Sequence, residues 1–228
     1  MDFILQGVIQ ALRLLVGGDP ETYSAVAATV KVSSMAMAAS LLMGIPLGFC
    51  LGHFDFPGKR QARLVVDTLL SLPTVFIGLM VYAFLSRQGP MGQMGLLFTL
   101  PGVAIGQTIL ALPVVIALTA TAVESMDAEL RTSLLSLGAS RAQLLAGSLW
   151  EARHGILAAG VTAYGRVMTE VGISMMVGGN IKWHTRTITT AIALETSKGM
   201  FAMGIALGLV LLLIAFGANA AVSFLRRK

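Results

Sequence analysis

What most constrains this chain is the recurrence of apolar stretches close in length to the thickness of a lipid hydrocarbon core. They fall at about residues 23–51, 64–85, 102–123, 156–177 and 201–224. A helix needs roughly 20 predominantly apolar residues to cross such a core. Inside it no water can satisfy an open backbone, so the helix is the natural way for these stretches to cross. The expected fold is therefore all-α, a polytopic helical membrane protein with about five transmembrane helices. The composition agrees: 56% of residues are apolar and only 12% charged, outside the balance of a soluble domain. The net charge of +5 reads as loop topology, because no basic stripe with interleaved aromatics suggests nucleic acid. Cys50 is alone, which excludes an intrachain disulfide and a thiol metal cluster. The N-terminus lacks the basic segment of a cleaved signal peptide.

Residues 3–16 are apolar but interrupted by Gln6, Gln10 and Arg13. They read as an N-terminal interfacial amphipathic helix within a 1–20 segment, with a tilted extra span as the alternative. Asp19-Pro20-Glu21-Thr22 is a helix-start signature for the first firm span. In that span Gly44, Gly48 and Gly52 form a small-residue ridge for close helix approach. Pro46 is expected to kink the helix near one end. The cluster Lys59, Arg60 and Arg63 marks a cytoplasmic loop. It is not a phosphate-binding loop, since Arg60 stands where Ser or Thr is required. In the second span Ser71-Leu72-Pro73-Thr74 breaks the helical ladder, giving either a kink or a pore-side position.

Arg166 and Glu170 fall inside the fourth span. Each mid-depth charge costs at least ~2.5 kcal/mol to insert, so neither should face lipid. Their i, i+4 spacing puts them on one helical face, where they can neutralise each other. They form either a packing salt bridge or part of a pathway or gate. Gly178 and Gly179 then offer a helix end with positive φ. Residues 185–194 are too short and polar to span. With Thr185, Thr187, Thr189, Thr190 and the preceding Asn180, they read as a re-entrant or surface helix facing a water-filled cavity, or as an ordinary outer loop.

The longest polar interval between two spans, residues 124–155, reads as helix–Gly–helix. Leu130, Leu134, Leu135 and Leu137 form an apolar stripe before Gly138, and Leu144, Leu145 and Leu149 continue one after it. An amphipathic pair needs a partner surface, whether the protein's own membrane face or a separate subunit.

ELRTSLLSLGASRAQ in this interval resembles the cytoplasmic loop of ABC-importer permeases, in which a short coupling helix docks on an ATPase. The matching residues are Asp127, Glu129, Leu130, Leu137, Gly138, Ala139 and Ser140. Thr132-Ser133-Leu134 departs from the family's Glu-Ala-Ala, and Trp150 stands where proline is usual. A sharper likeness covers most of the C-terminal half: EAR, GILAA, GR, EVG, MMVGGNI and TRTITTAIALETSKG resemble permeases of the tungstate-type ABC importers.

This resemblance implies a type I importer permease forming one transmembrane domain over residues 1–228, with residues 124–155 as a cytoplasmic coupling loop. Glu129, Leu137, Gly138, Ala139 and Ser140 would contact the ATPase. Arg166, Glu170, Asn180, Thr185, Thr187, Thr189 and Thr190 would line or gate the pathway, where hydroxyls, amides and helix N-termini suit an oxyanion better than fixed cations that trap it. The implied partners are a second copy of the chain, ABC ATPase subunits, an external solute-binding protein and the lipid bilayer.

No nucleotide-binding loop and no Ser-His-Asp, HExxH or Cys/His metal pattern occurs, so neither covalent chemistry nor a cofactor is expected. A handful of spans is few to enclose a pathway, which favours a homodimer. With the C-terminus in the cytoplasm, nine Lys and Arg lie inside and five outside. Tungstate is the implied cargo, with molybdate, sulfate or phosphate as alternatives. Outside this class stand an ion-coupled carrier or channel working through Arg166 and Glu170, and a non-transporting scaffold.

Overall fold

The computed structural model describes residues 2–125 and 136–225. Asp127, Glu129, Leu130 and the Thr132-Ser133-Leu134 departure lie outside the described residues, as do Arg226, Arg227 and Lys228. Among the described residues every regular element is helical, as expected. In order they are α1 (Asp2–Val16), α2 (Pro20–His53), α3 (Lys59–Leu69), α4 (Thr74–Leu85), a 3-10 turn (Gly92–Met94), α5 (Leu100–Glu124), α6 (Arg141–Met168), α7 (Gly172–Gly178), α8 (Ile188–Ser197) and α9 (Phe201–Leu225). Three of them, α2, α5 and α9, are long and apolar enough to cross a membrane; α3 and α4 together would make a fourth crossing, but bent by 95°.

The start of α2 follows from its sequence. Asp19 caps it by accepting from the Thr22 backbone N–H at 2.8 Å and from the Thr22 hydroxyl at 2.6 Å, with Pro20 in the first turn. The helix then continues through Pro46 to His53. The Gly44/Gly48/Gly52 ridge is where α5 comes closest. A Cβ at Gly48 would stand 2.6 Å from the Ile116 carbonyl oxygen, and one at Gly52 2.7 Å from that of Ala120. Gly44 meets the Val115 side chain at 2.8 Å, so α2 and α5 run parallel along their contact. α5 is the central helix: 67% of its apolar window is buried, against 22% for α9.

Two of the expected spans are broken, the second where its sequence indicated and the fourth where it did not. The stretch 64–85 divides at Ser71-Leu72-Pro73. Proline has no N–H to donate and disfavours helix at the residue before it, and α4 restarts from an extended Pro73 with ψ 128°. The stretch 156–177 divides at Thr169-Glu170-Val171. Its first part is longer than expected, because the polar residues 141–155 and the apolar residues after them form one helix, α6. The two breaks come together where each ends: a Cβ at Gly172 would be 3.1 Å from the Thr74 hydroxyl. Beyond them α4 packs on α7, with Gly78 against Ile173 and Met176.

α6 runs antiparallel to α5. Gly155 abuts Ala122 near the end of α5, while Ala163 and Val167 share a buried cluster with Ala111, Val114 and Val115. A third cluster joins α8 and α9 to α2 through Ala25, Ile188, Ala191, Leu207 and Val210. α1 packs along α9, with Gly7 seated on Ile205.

Candidate functional site

The break between α6 and α7 concentrates buried polar groups. Thr169 ends α6, and Glu170, only 7% exposed, follows it. The Glu170 carboxylate accepts the Ile173 backbone N–H at 3.0 Å. Its backbone carbonyl accepts from the hydroxyls of Thr189 at 2.9 Å and Ser174 at 3.4 Å. Ser174 also accepts from the Gln107 side-chain amide of α5. Carboxylate and carbonyl together substitute for the backbone bonds that the break removes.

The expected neutralisation of Glu170 by Arg166 is not found. Among the described residues the two make no ion pair, and Arg166 is exposed whereas Glu170 is buried. The reason is local: i, i+4 registry holds only while the helix continues, and the ladder stops at Thr169 between them.

After α7, Gly179 and Asn180 turn the chain with φ of 69° and 49°, as the Gly-Gly-Asn sequence suggested. Asn180 accepts from Arg186 through its side-chain oxygen at 3.2 Å. Arg186 also pairs with Glu21 of α2, whose other carboxylate oxygen is 2.7 Å from the Lys182 ammonium. This ionic tie was not legible in the sequence, because Glu21 and Arg186 are 165 residues apart.

Thr187 caps α8 in a reciprocal capping box with Thr190. The Ile188 N–H donates to the Thr29 hydroxyl at 2.9 Å, some 13 Å along α2 from its start. Glu195, near the other end of α8, shares a cleft with Asp19 and Glu21 at the beginning of α2. α8 thus starts in the protein interior. Within one chain, the hydroxyls of Thr185, Thr187, Thr189 and Thr190 do not face a water-filled cavity. All four are buried, and their bonds go to Gly178 O, to one another and to Glu170 O. Thr187 and Thr190 spend their hydroxyls in the cap of α8, and those of Thr185 and Thr189 go to backbone carbonyls.

At the opposite end, residues 136–140 turn the chain into α6. Gly138 has φ 78° and Ser140 forms a capping box with Gln143. Leu137 is 84% exposed, Gly138 and Ser140 are exposed, and Ala139 is half-buried. α6 begins fourteen residues before its contact with Ala122, so its first turns extend about 20 Å from that contact. There Leu149 is exposed, and Trp150, 69% exposed, is covered only in part by the Arg153 guanidinium 4.4 Å from its ring centre. This leaves an exposed apolar surface on the first half of α6.

Residues 44–228 match the family model of binding-protein-dependent transport system inner membrane components. The chain belongs to that family. Its curated relatives include the tungstate uptake permease TupB of Campylobacter jejuni, 48% identical over 227 residues, covering 100% of this chain and 95% of the relative. The TupB of Peptoclostridium acidaminophilum is 40% identical with both chains covered in full. The molybdenum transport permease ModB of Escherichia coli K12 is 30% identical, over 86% of this chain and 93% of the relative. Among solved structures, the inward-facing MetNI methionine transporter matches with a TM-score of 0.74 at 18% identity, over 92% of this chain and 97% of its own. A bacterial alginate transporter in complex with its periplasmic protein matches at 0.72 and 19%, over 94% and 85%. These likenesses establish the permease fold and a multi-pass inner-membrane protein.

Proposed function

We propose that the chain is the membrane-spanning subunit of an ATP-driven importer for tungstate. It acts as one transmembrane domain, paired with a second copy and with separate ATPase subunits, and receives its cargo from an external binding protein. The observation that carries this reading is the full-length 48% identity to a tungstate uptake permease. The exposed surface around Gly138 supplies a docking face of the kind an ATPase needs.

In this reading Glu129, Leu137, Gly138, Ala139 and Ser140 meet the ATPase in the cytoplasm, on the same side as the C-terminus. The distribution of Lys and Arg supports that orientation. Arg166 and Asn180 act where two copies face each other, while Glu170, Thr185, Thr187, Thr189 and Thr190 shape the pathway by fixing the breaks and the buried start of α8. Separation of Arg166 from Glu170 removes the charge pair on which an ion-coupled carrier would depend. ATP hydrolysis belongs to the partner subunit.

The test is ATPase activity of the reconstituted complex with the binding protein added empty or loaded. Loaded with tungstate, the binding protein should stimulate hydrolysis. Equal hydrolysis with and without this chain in the membrane would overturn the proposal.

A further inference from the structure

α3 is an unusual helix: none of its residues is buried, yet it leads through the 95° bend into α4, which is packed on α7. What holds it to the body of the protein is mainly ionic. From α3, Arg63 donates through Nη2 to the Thr121 hydroxyl at 2.7 Å and through Nη1 to Glu124 at 3.4 Å, and its Nε lies 3.5 Å from Asp67. Lys59 supports it, reaching Asp55 at 3.3 Å, the Gly52 carbonyl at 3.4 Å and Glu124 at 3.9 Å. Thr121 and Glu124 form the last turn of α5, and Glu124 is the first residue of the 124–155 loop.

We infer that Arg63 is a positioning residue that transmits movement of the 124–155 loop to the bent α3–α4 pair. This rests on the coupling reading of that loop. The planar guanidinium suits the task, because its fork engages Thr121 and Glu124 through two nitrogens while the third nitrogen faces Asp67. A lysine has one charged centre and cannot hold three directions. An ion pair this open to solvent adds little to stability, so the contact matters for geometry more than for holding the fold. The onward route is specific: a displacement of the α5 end moves α3, the break at Leu72-Pro73 turns it, and α4 carries it through Gly78 to Ile173 and Met176 of α7, beside Glu170.

The test measures uptake per ATP hydrolysed in proteoliposomes holding the complete complex, with tungstate as the probe. Arg63→Gln should lower that ratio at least about fivefold, the low end of typical coupling between sites, with assembly and basal ATPase activity retained. Arg63→Lys should fall between the two. If Arg63→Gln does not assemble, Glu124→Gln probes the same strut from the α5 side. An unchanged ratio in whichever of these variants assembles would overturn the inference while leaving the importer reading intact. Absence of ATP-driven uptake in the unmodified complex would instead remove the reading on which the inference rests.

Discussion

Gly138 and Glu170 show two ways in which one residue fixes a local conformation. Nothing lies within 4 Å of a Cβ built at Gly138, yet its φ is +78°. A side chain there is penalised by the backbone alone, by about 1–3 kcal/mol. Gly138→Val should therefore shift the turn and uncouple ATPase activity from uptake, whereas Gly138→Asn should retain more coupling, since asparagine tolerates this region. Equal uptake per ATP in the valine variant and the parent would refute the coupling role. Glu170 is held by contacts instead. Glu170→Ala leaves the buried Ile173 N–H without its acceptor, costing about 1–3 kcal/mol. Glu170→Gln keeps a carbonyl in place and should restore most of the loss. Thermal unfolding in detergent distinguishes them, and an alanine variant as stable as the parent would rule out the capping role.

At the scale of elements, what was legible in the sequence was whatever depends on local chemistry. Asp19-Pro20 started a helix, Pro73 broke one, Gly179-Asn180 turned the chain, and the glycine ridge of α2 met a neighbour. What was not legible depended on pairing distant in sequence. The i, i+4 rule overlooked the break at Thr169, where one of the sustaining bonds comes from Thr189, 19 residues beyond Glu170. The continuity of α6 across Gly155 was hidden by the change from polar to apolar composition, which reflects surroundings and not helix ends. The ridge itself gives a paired prediction. Gly48→Ala drives a methyl into the backbone of α5 and should destabilise by about 1–3 kcal/mol. Gly208→Ala in α9 meets nothing within 4 Å and should be neutral or stabilising, since alanine favours helix. Similar melting temperatures for the two variants would contradict the packing described for α2 and α5.

For the whole molecule, the arrangement is a central helix, α5, clasped by α2 and α6, with two broken spans meeting on one side and a short helix, α8, whose start is buried. The apolar faces left exposed, such as Val75, Phe76, Leu79 and Met80 on α4, suit lipid or a second copy and not water. The exposed turn near Gly138 and the buried polar break at Glu170 lie at opposite ends of α6, so a transport cycle that used both would connect them through helices. The most direct measurement is uptake into proteoliposomes containing this chain, its ATPase and its binding protein, with tungstate, molybdate and sulfate in competition. The account predicts uptake that requires ATP and is blocked best by tungstate. Flux that follows an ion gradient without nucleotide would contradict it.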